Sequence, residues 1–131
     1  MSPWLAVALG GALGSVMRHG VNRLVHQHWE LARFPWATLV VNLVGCLVIG
    51  VLAGLVAAGR LPLRASWREF IFVGILGGFT TFSTFGLDTI TLMRTGETGQ
   101  AIANVAVQVT FGLGAVYLGL RFGELFMSRA S

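Results

Sequence analysis

The chain has 131 residues, of which 55% are hydrophobic and only 11% charged, with a mean hydropathy of +0.78 and a formal net charge of +4. That balance predicts an all-α integral membrane protein of one domain, 1–131, surrounded by lipid bilayer. The pI near 11.1 rests on nine arginines that sit mostly at the ends of apolar runs, with no basic, aromatic-interleaved polar face, so nucleic acid is excluded as a partner.

Met1 to Met17 carries no charge before Arg18, which is the wrong arrangement for a secretory signal and reads as a first membrane helix. Charge-free windows follow at Phe34 to Gly59, Phe70 to Leu87 and Thr98 to Leu120, each near or above the ~18 residues that suggest a span. Four transmembrane helices result. The second window covers about 39 Å at ~1.5 Å per residue and can cross with some tilt. Trp4, Trp29, Trp36 and Trp67 fall near window edges, at the depth amphipathic rings prefer. Pro35 and Pro62 are read as helix breakers, and Gly96 and Gly99 as the turn of the last hairpin. His19, His26 and His28 follow the first span, with His28 placed beyond its end, which gives the three little basis for holding a metal. Cys46 has no partner in the chain and reads as a small buried hydrophobe.

Four spans put both termini and the loop between spans two and three on one side, with Arg60, Arg64, Arg68, Arg121 and Arg129. Arg33 and Arg94 face the other side. Adding Arg18 and Arg23 there makes the tally five against four, too even to fix one orientation by the positive-inside rule. Insertion both ways would yield an antiparallel, dual-topology homodimer, a closed two-fold arrangement; a boundary misplaced by one or two arginines is the alternative. Gly10, Gly11 and Gly14, then Gly45, Gly50 and Gly54, and finally Gly112, Gly114 and Gly119 suit close helix contact in lipid. Four helices of one chain can hardly enclose a pore, so a conduction pathway would need a second copy.

Gly77-Gly78-Phe79-Thr80-Thr81-Phe82-Ser83-Thr84-Phe85 places glycines, hydroxyls and spaced aromatics inside the third window. Backbone left unpaired in hydrocarbon is costly, so a broken helix there is tolerated only where protein or a hydrated pathway covers it. The segment is therefore predicted to break the third helix and to form an ion or substrate site. Its freed carbonyls could coordinate a cation, and the amides and positive dipole end of the second half-helix could face an anion. Phe82 and Phe85 share a face, and ring edges can meet an anion, although packing alone also explains such a stripe. Thr38 with Asn42, and Asn104 with Gln108, are four apart and share helical faces, together with Thr110 among the polar residues of the windows. These rows line a track or simply join helices by hydrogen bonds. Glu30, Glu69, Asp88, Glu97 and Glu124 mostly lie near span ends, which argues against a proton-coupled cation exchanger. No serine, histidine and acid share a pocket, so the chain is not read as an enzyme.

Three motifs carry a resemblance to a known family. Gly10-Gly11-Ala12-Leu13-Gly14-Ser15-Val16-Met17-Arg18, Pro35-Trp36-Ala37-Thr38-Leu39-Val40-Val41-Asn42-Leu43-Val44-Gly45 and, above all, the Gly77 to Phe85 segment resemble the fluoride channels of the Fluc or CrcB family. Those are small four-helix proteins that assemble as antiparallel dimers. The resemblance spans the whole chain and implies passive, selective export of fluoride across a microbial inner membrane, relieving cytoplasmic toxicity. It also implies that Phe82 and Phe85 form a phenyl box facing fluoride, that Asn42 is the pore amide, and that Thr38, Ser83 and Gln108 line the polar pathway. Gly77 and Thr80 would hold a central sodium ion through their main-chain carbonyls. Arg18 matches the family's first-helix arginine, for anion attraction or plain snorkelling.

Departures from the family pattern concentrate in the fourth span, where Phe111, Gly112 and Val116 replace a Gly-Ser pair and a later hydroxyl. Gln108 brings a longer amide to a polar position, which suggests a rebuilt outer track. Asp88 stands for a glutamate, Gly86 for a serine, Ala37 for a glycine, and Cys46 and His19 for a small and an aromatic residue. A dual-topology small multidrug exporter would share the size and span count but needs a glutamate in the first helix, where this chain has none. A small subunit of a larger complex would instead turn its polar break toward a partner protein.

Overall fold

The computed structural model describes residues 1–126; Arg129, counted above in the charge tally, lies outside them. Six α-helices and one π-helical stretch make up the described chain, with no strand among the described residues. Helix α1 spans Pro3–His28. It starts at Ser2, whose hydroxyl accepts the Leu5 N–H at 3.3 Å, with Pro3 in the first turn where no amide donor is needed. The helix runs well past the uncharged stretch that ends at Met17, because Arg18, His19 and Arg23 continue it as ordinary formers. His28 is inside it, its ring Nδ1–H donating to the Leu24 carbonyl at 2.8 Å.

Helix α2 spans Trp36–Ala57 and follows Pro35. Gly59 ends it at φ +69°, a left-handed turn that lets Arg60 N–H reach back to the Leu55 carbonyl at 2.9 Å. Pro62 therefore follows a stop already made by glycine. Helix α3 (Ala65–Arg68) runs through a π-helical stretch, Glu69–Leu76, into α4 (Gly77–Phe79). Thr80 and Thr81 are extended, at ψ +160° and +109°, and α5 (Phe82–Arg94) resumes beyond them. Gly96, at φ +83°, closes α5 in the same way as Gly59 closes α2, with Glu97 N–H on the Leu92 carbonyl at 2.8 Å. Helix α6 spans Thr98–Leu125. Gly99 lies in its first turn and has no part in the loop.

Three described segments are long and apolar enough to cross a membrane: Trp36–Ala57, Ala65–Arg94 and Thr98–Leu125. Helix α1 is as long, but Arg18, His19, Asn22 and Arg23 lower its hydropathy below that of the other three. Trp29 stacks on Trp36 at 5.8 Å and Trp67 meets Phe70 edge-on at 5.6 Å, gathering amphipathic rings at helix ends.

Packing pairs α1 with the π-helical stretch and α4, and α2 with α6. A Cβ on Gly74 would sit 2.8 Å from the Gly10 Cα, and one on Gly54 3.0 Å from the Gly123 Cα, so both pairings depend on backbone contact that only glycine permits. Gly114, grouped with the packing glycines from sequence, has nothing within 4 Å of such a Cβ and lies off the interface. Through these contacts α2 and α6 are held beside the break between α4 and α5.

Candidate functional site

The break is built by polar groups that replace helical hydrogen bonds. In a continuous helix Thr81 N–H would donate to the Gly77 carbonyl; here it donates to Asn42 Oδ1 at 2.9 Å, which releases that carbonyl. Asn42 Nδ2 returns a bond to the Thr81 carbonyl at 3.1 Å. One side-chain amide thus satisfies both main-chain groups of Thr81, as a neighbouring strand would. The Thr80 carbonyl accepts from the half-buried Arg18 guanidinium at 3.2 Å. Gly45 leaves the space into which the Thr80 methyl fits, since any Cβ there would overlap it.

Thr81 then caps α5. Its hydroxyl oxygen accepts the Thr84 N–H at 3.2 Å, and its O–H donates to Thr84 Oγ1 at 2.9 Å. The N–H groups of Phe82 and Ser83 open the first turn without helical acceptors, beside the positive end of a 13-residue helix.

A row of amides leads away from the break. Asn42 Nδ2 donates to Gln108 Oε1 at 2.8 Å, Gln108 Nε2 to Asn104 Oδ1 at 3.0 Å, and Asn104 Nδ2 to Thr89 Oγ1 at 2.9 Å. Thr89 ends the row on the Phe85 carbonyl at 2.8 Å. Asn104 is fully buried. Such a chain, each member bonded to the next inside an apolar bundle, fixes the relative positions of α2, α5 and α6.

Beside these elements lies an open cavity of about 370 Å³ whose wall includes Asn42, Gln108, Gly77, Thr80, Phe82 and Phe85. Most of the residues singled out in the sequence therefore meet in one place. The Phe82 and Phe85 ring centroids are 5.4 Å apart with a 54° tilt, and Phe82 remains 83% exposed. A polar break beside a nearly bare aromatic ring is a surface that lipid covers poorly.

The other expected site residues lie around this cavity. Thr38 is buried and donates to Asp88 Oδ2 at 2.7 Å, in a separate polar basin of about 270 Å³ that includes His26, Arg33 and Thr84. Arg18 approaches the break through the Thr80 carbonyl. Ser83 is exposed, its hydroxyl 3.4 Å from Thr81 Oγ1. Thr110, one of the polar residues of the fourth window, lies in an apolar groove with Leu43, Leu47 and Phe111, away from the amide row.

Sequence reasoning missed Thr89 and the pairing of Asp88 with Thr38, both acceptors falling just past the charge-free window. Asn104 was paired with Gln108 by spacing but given no place in the site. No three His, Cys, Asp or Glu side chains gather to hold a metal among the described residues. Neutral main-chain carbonyls are hard oxygen donors of the kind that suit alkali and alkaline-earth cations. The Gly77 carbonyl, released by Thr81, fits that chemistry. Thr80 keeps one of its two lone pairs beyond the bond from Arg18.

Residues 5–120 match the family described as CrcB-like protein, Camphor Resistance (CrcB). A protein of Opitutus terrae named fluoride-specific ion channel FluC is 51% identical over 120 residues, covering 91% of this chain and 90% of its own. Proteins of the same name from Hyphomonas neptunium and Thermus thermophilus are 43% and 44% identical, over 92% and 94% of this chain and 94% and 96% of their own. With three segments able to span, the chain is a multi-pass membrane protein similar to named ion channels.

Proposed function

The chain belongs to the CrcB family, and from that premise we propose that it is a passive, fluoride-selective channel releasing fluoride across the inner membrane of a microbial cell, which relieves cytoplasmic toxicity. The observation that carries this reading is the cavity at the helix break, where amide donors and the Phe82 and Phe85 rings share one wall.

Fluoride is small and strongly hydrated, so a pathway must supply donors in place of water while binding weakly enough at each point to release the ion. Amide N–H groups, the opening turn of α5 and aromatic ring edges are such donors. Hydrocarbon from Ile49, Leu76 and Val109 shares the wall with them. Arg18, at the break, and Thr38, in the neighbouring basin, extend the polar route.

The working unit in this proposal is an antiparallel homodimer of four-span chains inserted in both orientations. The bare Phe82 ring and the open cavity at the break support it, because a second copy would cover both. Sodium would be held at the carbonyls of Gly77 and Thr80, where it would supply a fixed positive charge and join the two breaks.

Expression in cells stripped of their own fluoride export tests the reading. Lower intracellular fluoride at equal external concentration is expected, and no difference from an empty vector overturns it. Cross-linking of chains tagged at opposite ends tests the dimer, with head-to-tail products expected and their absence contradicting it.

A further inference from the structure

Arg33 pairs with Glu97 and Arg121 with Glu124, but Arg23 and Glu30 have no ionic partner among the described residues. These two opposite charges line one open groove of about 550 Å³ along the end of α1, together with His19, Asn22, His26 and Gln27. Arg23 lies within the helix and Glu30 just past its last residue, His28, with His26 and Gln27 between them. The His26 Nδ1–H donates to the Asn22 carbonyl at 2.7 Å, since a carbonyl only accepts, so the protonated ring offers its Nε2–H to an outside acceptor.

The depth of the groove follows from the rise of the helix. Taking Trp4, 87% exposed, as the ring at one membrane boundary, a rise of ~1.5 Å per residue puts Arg23 about 28 Å and His26 about 33 Å further along, on either side of the far edge of a ~30 Å hydrocarbon core. Trp29, 50% exposed, lies beyond them, where amphipathic rings prefer to sit. His19 is one turn deeper than Arg23. Ala12, Val16 and Gly20 carry the same face into the core, all exposed, with nothing within 4 Å of a Cβ built on Gly20.

We propose that this groove binds the phosphoethanolamine headgroup of a membrane phospholipid, its phosphate on Arg23 and His26 and its ammonium on Glu30. The order of side chains along α1 matches the order of groups along that lipid. Acyl chain lies against Ala12, Val16 and Gly20, the ester carbonyls reach His19, the phosphate meets Arg23 and His26, and the ammonium is outermost. A guanidinium holds phosphate oxygens through two parallel N–H bonds, and a primary ammonium brings three donors to a carboxylate. Phosphatidylglycerol offers Glu30 no cation, and the methyl groups of phosphatidylcholine remove those donors. The site is independent of the fluoride reading and stands whether or not the chain conducts.

The test uses the purified full chain in detergent, with phosphatidylethanolamine, phosphatidylglycerol and phosphatidylcholine of identical acyl chains added separately and bound lipid counted by native mass spectrometry. Phosphatidylethanolamine should half-saturate the wild type at a concentration about threefold or more below either of the others. Arg23→Gln should weaken all three by about fivefold, the scale of a lost charge-assisted contact reduced by solvent screening. Glu30→Gln should bring phosphatidylethanolamine to within about twofold of phosphatidylglycerol. Both side chains are exposed, so neither variant removes core packing; should Arg23→Gln fail to fold, His26→Gln tests the phosphate contact in its place. Equal binding of the three lipids to the wild type, or a preference for phosphatidylglycerol, overturns the proposal. So does a phosphatidylethanolamine preference that survives both Arg23→Gln and Glu30→Gln, which would place the lipid elsewhere on the chain.

Discussion

Asn42 closes both main-chain hydrogen-bonding groups of Thr81, accepting its N–H at 2.9 Å and donating to its carbonyl at 3.1 Å. The bond crosses from α2 to the break between α4 and α5, so one side chain replaces the helical partners that Thr81 gives up. Losing it leaves two polar groups unpaired at a residue only 9% exposed. Asn42→Ala should therefore destabilise the folded chain by roughly 2–4 kcal/mol and cut fluoride flux. Thermal unfolding in detergent checks the first effect and liposome efflux the second; a variant as stable as wild type contradicts the clamp.

The two phenylalanines should be separable from packing. Phe82 is 83% exposed in the single chain, so its replacement removes little of the chain's own core. Phe82→Ile and Phe85→Ile should each lower flux by about threefold to tenfold, the scale of one lost ring interaction, while the dimer stays folded. Normal flux per folded dimer from both variants would mean that the rings only pack.

Glycine positions sort by what a methyl group would meet. Gly54→Ala places a Cβ 3.0 Å from the Gly123 Cα and should cost about 1–3 kcal/mol by forcing α2 and α6 apart. Gly114→Ala meets nothing within 4 Å, and its better helix propensity should leave stability unchanged or raised by up to about 1 kcal/mol. Equal melting temperatures for the two variants would contradict the packing described.

Sodium removal tests the carbonyl site. Replacing all sodium with N-methylglucamine should lower the melting temperature, and a site near saturation at about a hundred times its Kd corresponds to about 2.7 kcal/mol. Restoring sodium should reverse the loss. Stability and flux that ignore the exchange would remove the cation from the proposal.

Where charge-free runs coincide with helices, the sequence is easy to read: α2 and α6 lie close to their windows because nothing in them competes with apolar burial. Helix α1 exceeds its window, since charge marks where lipid ends and says little about where a helix does. The break was visible in Gly77 to Phe85 because hydroxyls offered the replacement hydrogen bonds. The π-helical stretch Glu69–Leu76 left no such signal, its residues being as apolar as any helix. Contacts between helices were the hidden part. Thr38 finds Asp88 and Asn104 finds Thr89 only because α2, α5 and α6 are neighbours, and spacing along one helix cannot say which helix lies beside it.

Fluoride release from liposomes containing the purified chain, with a potassium ionophore to balance charge and chloride-loaded vesicles as the control, tests the central claim most directly. Rapid fluoride release with chloride retained is the predicted result. No fluoride release from dimeric, correctly inserted protein would contradict it.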